Sequence, residues 1–286
     1  MEKRIILRGM LSGAVAGLVA FIFARIFAEP LIDRAIDYEG GRDDAVAALH
    51  RAAGMAGHEG DHEIYSRTVQ STVGIGAGMI AFGVAMGALF AVVYCVCIGR
   101  VGRITPRNLA LLVAGGLFLV LYAVPFVKYP ANPPAVGHAD TIRDRTGLYL
   151  LMVVCSGLFL LAAVWLGRRL QPRLGNWYAT VAAAVGYIVT MGIVIAVLPS
   201  FGELSMNQRE FGDFATETPQ PLTDPAGTIV YPGFPADDLF QFRLYSFTAQ
   251  AILWTIIGVG FASLAPKLFG SGDSAATPSR AASSSA

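Results

Sequence analysis

"VGIGAGMIAFGVAMGALFAVVYCVCI", residues 73–98, carries no charge, and "GRVGRITPR", residues 99–107, follows it with three arginines. About 20 residues of helix cross the roughly 30 Å hydrocarbon core of a bilayer, so a run of this length reads as a transmembrane span. The arginines that end it mark a membrane face, because short loops rich in Lys and Arg stay on the cytoplasmic side. One stretch therefore predicts both a span and its direction.

Working outward, runs of the same kind recur at residues 9–28, 108–127, 147–166, 178–198 and 245–265. The whole chain of 286 residues is 55% apolar and 14% charged, against roughly 25% charged in an ordinary soluble domain. The fold expected is an all-α integral membrane protein with six transmembrane helices and both termini cytoplasmic. One domain covers residues 1–270, and residues 271–286 form a disordered tail of small polar residues that bury too little to offset ordering. Lys3, Arg4 and Arg8 before the first run also fit a signal peptide, but Arg25 breaks its end and no clean small-x-small cleavage site follows. The run is kept as a span.

Charges sort by loop. The amino end, residues 99–107, Arg168, Arg169 and Arg173, and the tail together hold eleven cations against Glu2 and Asp273, whereas the alternate segments hold ten cations against eighteen acids. The positive-inside rule then puts two large loops, residues 29–71 and 199–244, on the extracytoplasmic side. Their eight excess negative charges would concentrate cations there. In the first loop, Ile32, Ala35, Ile36 and Tyr38 predict a short amphipathic surface helix that ends at "EGGRDD". The second is irregular, but seven aromatic residues from Phe201 to Phe242 predict that it packs over the bundle.

Small residues bring helices together where lipid provides no hydrophobic drive. Gly9, Gly13 and Gly17 in the first span and Gly74, Gly78, Gly83 and Gly87 in the second predict a tight pair. No Asp, Glu, Lys or His stands at the middle of a span, so no proton relay is legible. Ser156, Tyr187, Thr190, Thr248 and Gln250 are the polar groups inside, with Gln250 the one to watch. Cys95, Cys97 and Cys155 fit either small packing residues or a soft-metal thiolate site.

Two stretches carry candidate chemistry. "PFVKYPANPPAVGHADTIRDRTG", residues 125–147, packs four prolines around Lys128. Proline has no N–H and pushes its predecessor out of the helical region, so the third span should kink near Pro125 and end at Tyr129 or Pro130. Lys128 reads as an interfacial anchor beside Tyr129. Alternatively Lys128, Pro130, Asn132 and Pro133 form a re-entrant segment lining a pore mouth, where non-helical backbone is tolerated. "HEGDHE", residues 58–63, matches the zinc-protease pattern H-E-x-x-H, but Gly54, Gly57 and Gly60 argue against the helix that motif needs. His58, Glu59, Asp61 and His62 remain candidate divalent-metal ligands, and a solvated acidic loop is the rival reading.

Several segments taken together resemble the predicted cobalt transporter subunit family CbtA: "EPLIDRAIDYE", "SRTVQSTVG", "KYPANPPAVGHADTIRDRTGLYLLM", "LGNWYAT" and "GFPADDLFQFRLYS". The resemblance spans nearly the whole chain except the tail, with "KYPANPP" the most specific piece. It implies a polytopic inner-membrane protein that moves cobalt for cobalamin synthesis, not an enzyme, with a small single-span, histidine-bearing partner subunit. Membrane lipid is the other expected partner. No nucleic-acid partner and no tightly bound cofactor is expected, and Co2+ or another divalent metal is the cargo. Under that reading Lys128 pairs an acid, with Glu29, Asp33 and Asp140 as candidates, while His138, Asp140 and the first-loop histidines face the ion. No nucleotide-binding motif is present, so ATP-driven transport would need another chain. A non-transporting scaffold or accessory subunit is the alternative.

Overall fold

The computed structural model describes residues 2–54, 69–102, 104–137, 139–212 and 216–265. Helix α1 is Glu2–Phe27 and α2 is Glu29–Ala52. Helix α3, Ile75–Cys97, is entered through a wide π-helical turn at Gln70–Gly74. Helix α4, Pro106–Phe118, runs through a second such turn, Leu119–Ala123, into α5, Val124–Lys128. Helix α6 is Ile142–Val197, α7 is Ser205–Phe211 and α8 is Ala236–Leu264. A two-stranded antiparallel hairpin, β1 Leu222–Thr223 and β2 Ile229–Tyr231, interrupts the second loop.

Among the described residues five helices are long and apolar enough to cross a membrane, and the six predicted runs fall on them. The fourth and fifth runs share α6. Its 56 residues would extend roughly 84 Å if straight, but Gly175 interrupts the helix at φ 74°, ψ 171°. The arms fold back on each other: Ser156 Oγ and Tyr187 Oη lie 2.6 Å apart, and a Cβ on Gly167 would stand 3.3 Å from that of Ala183. Helix α6 is therefore an antiparallel hairpin.

Helices α1, α3, α4 and α8 make the tight part of the bundle. Gly9, Gly13 and Gly17 of α1 lie on the backbone of α3 at Gly87, Gly83 and Met79; a Cβ on Gly9 would come within 2.5 Å of the Gly87 carbonyl oxygen, and one on Gly13 would collide with that of Gly83. The contacting register on α3 is thus 79, 83 and 87. Gly78 meets nothing on α1, and Gly74 only the carbonyl of Val69, so these two do not extend the predicted seam. Phe90, Tyr94 and Phe261 close the core, with Phe261 edge-on to both partners at 5.0 and 4.8 Å between centroids. Tyr94 donates to the carbonyl of Pro106 at 3.1 Å, and Thr105 caps α4 by accepting from the Asn108 amide.

The third span runs past its proline through the π-helical turn at Leu119–Ala123. Pro125 has no N–H for the carbonyl of Leu121, four residues earlier, and the Tyr149 hydroxyl of α6 donates to that carbonyl instead at 2.9 Å. The helix stops at Lys128, where the amide of Tyr129 bonds back to Pro125 O at 2.8 Å. Helix α2 departs from expectation: it does not end at "EGGRDD" but continues to Ala52. Tertiary packing outweighs the two glycines, because the Tyr231 ring sits against the bare Gly41 and the Tyr231 hydroxyl donates to Tyr38 O at 3.2 Å.

Oppositely charged ends are also sorted in space. At one end Arg8 donates to the last turn of α8 at Leu264 O, and Arg168 reaches the carbonyl of Arg100. At the other, α2, the proline-rich segment and the second loop meet, with Arg34 paired to Asp238 at 2.8 Å. Tyr38 donates to Pro232 O at 2.9 Å and Arg42 to Gln220 O at 2.8 Å.

Candidate functional site

Four separated elements converge on Asn132. It follows α5 in the extended piece Pro130–Pro133, where the absence of helix leaves its amide free to face inward. Arg243, on the first turns of α8, donates from Nη2 to Asn132 Oδ1 at 2.7 Å. Asn132 Nδ2 donates in turn to Glu217 Oε2 of the second loop at 2.7 Å. Arg145, at the start of α6, lies with Nε 3.4 Å from Glu217 Oε1, an ion pair without hydrogen-bond geometry. The asparagine is the hub because its amide both accepts and donates.

The cluster is half-buried, with its carboxylate the most enclosed. Only 6% of the Glu217 side chain and 23% of Arg145 are exposed. Burial pushes the Glu217 carboxyl above the usual carboxylate range, and the opposing pull of Arg145, Asn132 and Arg243 does not cancel it. Two guanidiniums face one carboxylate, so the group carries one net positive charge when all are ionised. The backbone is shaped to the cluster: Gly137 donates its amide to Glu217 O at 3.1 Å. It holds φ 111°, and a Cβ there would run into Arg145 Nη1. Glycine is required on both counts.

A cleft of about 700 Å³ opens beside the cluster between the proline-rich segment and the first turns of α6. Tyr122, Phe126, Pro130, Tyr149 and Phe201 wall it, and Arg145 is its charged member. Tyr129 closes one side by donating to Pro199 O at 2.8 Å and stacking on Phe201 at 4.6 Å.

Of the residues singled out in the sequence, Asn132, Pro130 and Pro133 line the cleft. Lys128 is half-buried and, among the described residues, makes no ion pair or hydrogen bond, so the expected pairing with Glu29, Asp33 or Asp140 is not seen there. Asp140 is exposed in the short 3-10 turn Ala139–Thr141 before α6. His58, Glu59, Asp61, His62 and His138 lie outside the described residues. Gln250 is half-buried on α8, away from this corner. The three cysteines are free, and no group of three or more His, Cys, Asp or Glu is placed to hold a metal among the described residues.

Arg145, Glu217 and Arg243 were missed. A signal existed for the two arginines, since each stands just before an apolar run where a buried charge needs a partner. Nothing marked Glu217, which sits in an irregular loop and reaches the site only through tertiary folding.

A family model described as "probable cobalt transporter subunit (CbtA)" matches residues 2–266. The chain belongs to the CbtA family. No curated protein and no solved structure matches it. CbtA membership and five long apolar helices make this a multi-pass membrane protein of a cobalt-transport system, and a subunit by description implies partner chains. The Asn132 hub and its two arginines fall within the matched region.

Proposed function

We propose that the chain is the membrane-embedded permease subunit through which a divalent metal, cobalt for cobalamin synthesis, is taken up across a bacterial-type inner membrane. The observation that carries this is the family match over residues 2–266. The polar corner, held where three long helices and the second loop meet, supplies a site consistent with it. In this reading α6 crosses twice, giving six spans with both termini cytoplasmic and the α2 corner outside. The sorting of arginine-bearing turns to one end supports that direction.

The acidic outer segments gather cations. His58, Glu59, Asp61 and His62, with His138 and Asp140, meet the metal first as imidazole and carboxylate donors. Borderline ligands of this kind do not select cobalt by affinity, because nickel and copper bind most such sites more tightly. Selection then falls to geometry and to the partner, a small single-span histidine-bearing subunit. Lys128, Pro130, Asn132 and Pro133 frame the pore mouth, and Gln250 lies along the helical path.

A second reading, a non-transporting scaffold or accessory subunit, is favoured by spans without a mid-membrane charge. Radiocobalt accumulation separates the two, measured in cells expressing the chain alone, with the small partner, and with His58→Ala plus His62→Ala. Uptake by wild type that falls at least several-fold in the double variant supports the permease. Unchanged metal content under every pairing supports the scaffold.

A further inference from the structure

The cleft beside Asn132 is chemically wrong for a bare cation. Among the described residues, no Asp, Glu, His or Cys lines it, yet a first-row divalent ion is held by imidazole, carboxylate or thiolate donors. Its charged wall is a guanidinium, Arg145. Behind that wall Arg243 joins through Asn132, and Glu217 offsets only one of the two positive charges. Lys128 adds another cation on the same segment, without an ion pair among the described residues. A dipositive ion approaching alone meets repulsion.

The size and walls point the same way. At about 700 Å³ the cleft falls in the range of small-molecule sites, roughly 300–1,000 Å³, and exceeds what one hydrated ion fills. Aromatic and proline walls with one guanidinium suit an organic acid, because arginine's planar fork matches a carboxylate. Arg145 Nε is buried without a hydrogen bond.

We propose that the cleft takes the metal as a complex with a small organic carboxylate, and that Arg145 receives a carboxylate of that ligand. This deepens the uptake reading and rests on it. The acidic outer face draws the metal in, and the cationic cleft accepts it only once a carboxylate ligand has reduced or reversed its charge. Glu217, outside the cleft lining, positions Arg145, and Arg243 joins it through Asn132.

The test uses the full chain in lipid nanodiscs, with radiolabelled citrate as the probe ligand and cobalt chloride present or absent. Wild type is expected to retain citrate when cobalt is present and to lose most of it when cobalt is withheld. Arg145→Gln should weaken retention by about tenfold or more, with Arg145→Lys intermediate. Ile142→Asp is the sharper probe, since Ile142 lines the cleft and is 54% exposed, so the change adds a carboxylate without emptying the core. It should also weaken retention. The proposal is overturned if citrate binds equally without cobalt, or if folded Arg145→Gln retains the complex like wild type. Uptake assays keep the two readings apart. Equal accumulation from cobalt chloride by wild type, Arg145→Gln and Ile142→Asp leaves transport standing and removes the complex. No accumulation from chloride or citrate medium removes transport itself.

Discussion

Helices α1, α3, α4 and α8 and the α6 hairpin have similar composition but are held in different ways. In α1 and α8, 39% of an apolar stretch is buried within the protein; in one such stretch of α6 the figure is 11%. The first group is fixed by backbone against backbone at Gly13 and Gly83 and by aromatic packing around Phe261. The hairpin leaves Leu158, Leu161, Trp165, Trp177, Ile188 and Val197 exposed and is fixed by a small apolar cluster around Met152, Tyr187 and Met191 and by a handful of polar contacts. These are Ser156 with Tyr187, Tyr149 on Leu121 O, Tyr129 on Pro199 O, and Arg145 at the corner. Lipid is as apolar as leucine, so exposed side chains cost the hairpin little, and close approach and polar satisfaction decide what holds.

Breaking the tight group should give the largest effect. Gly83→Leu drives a side chain into the α1 backbone, which cannot yield as a flexible side chain would, so folded protein should be lost. Size-exclusion profiles in mild detergent check this, with Gly78→Ala expected to elute like wild type because nothing lies within 4 Å of Gly78. Next comes the junction between the two regions. Glu217→Ala leaves the half-buried guanidinium of Arg145 without its carboxylate and Asn132, which holds Arg243, without its acceptor, and should cost about 3 kcal/mol of stability. Unfolding by thermal scan should show it, and Glu217→Gln, which keeps a carbonyl for Asn132, should cost less.

Within the hairpin the effects should be smaller. Tyr149→Phe removes the donor to the carbonyl that Pro125 leaves unpaired and should cost about 1 kcal/mol. Leu161→Ala, at a side chain 69% exposed, should change stability by no more than about 0.5 kcal/mol. A large loss from Leu161→Ala would mean that the hairpin's open face is packed against a partner helix rather than lipid.

The apolar runs and the glycine seam were readable because span length and small-residue spacing are local properties of the chain. The end of the third span beside Pro130 was readable for the same reason, since a proline pushes its predecessor out of the helical region. The length of α2 was not, because Gly40 and Gly41 are breakers by propensity and only the Tyr231 ring, almost two hundred residues later, explains why the helix continues. The candidate site was half legible. Asn132 announced itself among prolines, but its partners Arg145, Glu217 and Arg243 come from three other segments, and no periodicity links them.

The route proposed for the metal requires the Asn132 corner to face outward. In a chain whose native Cys95, Cys97 and Cys155 are replaced by serine, Thr228→Cys in the exposed hairpin turn and Gln171→Cys near Gly175 can be probed with a membrane-impermeant maleimide on intact cells. The account predicts that Thr228→Cys is labelled at once and Gln171→Cys only after permeabilisation; the reverse pattern would contradict it.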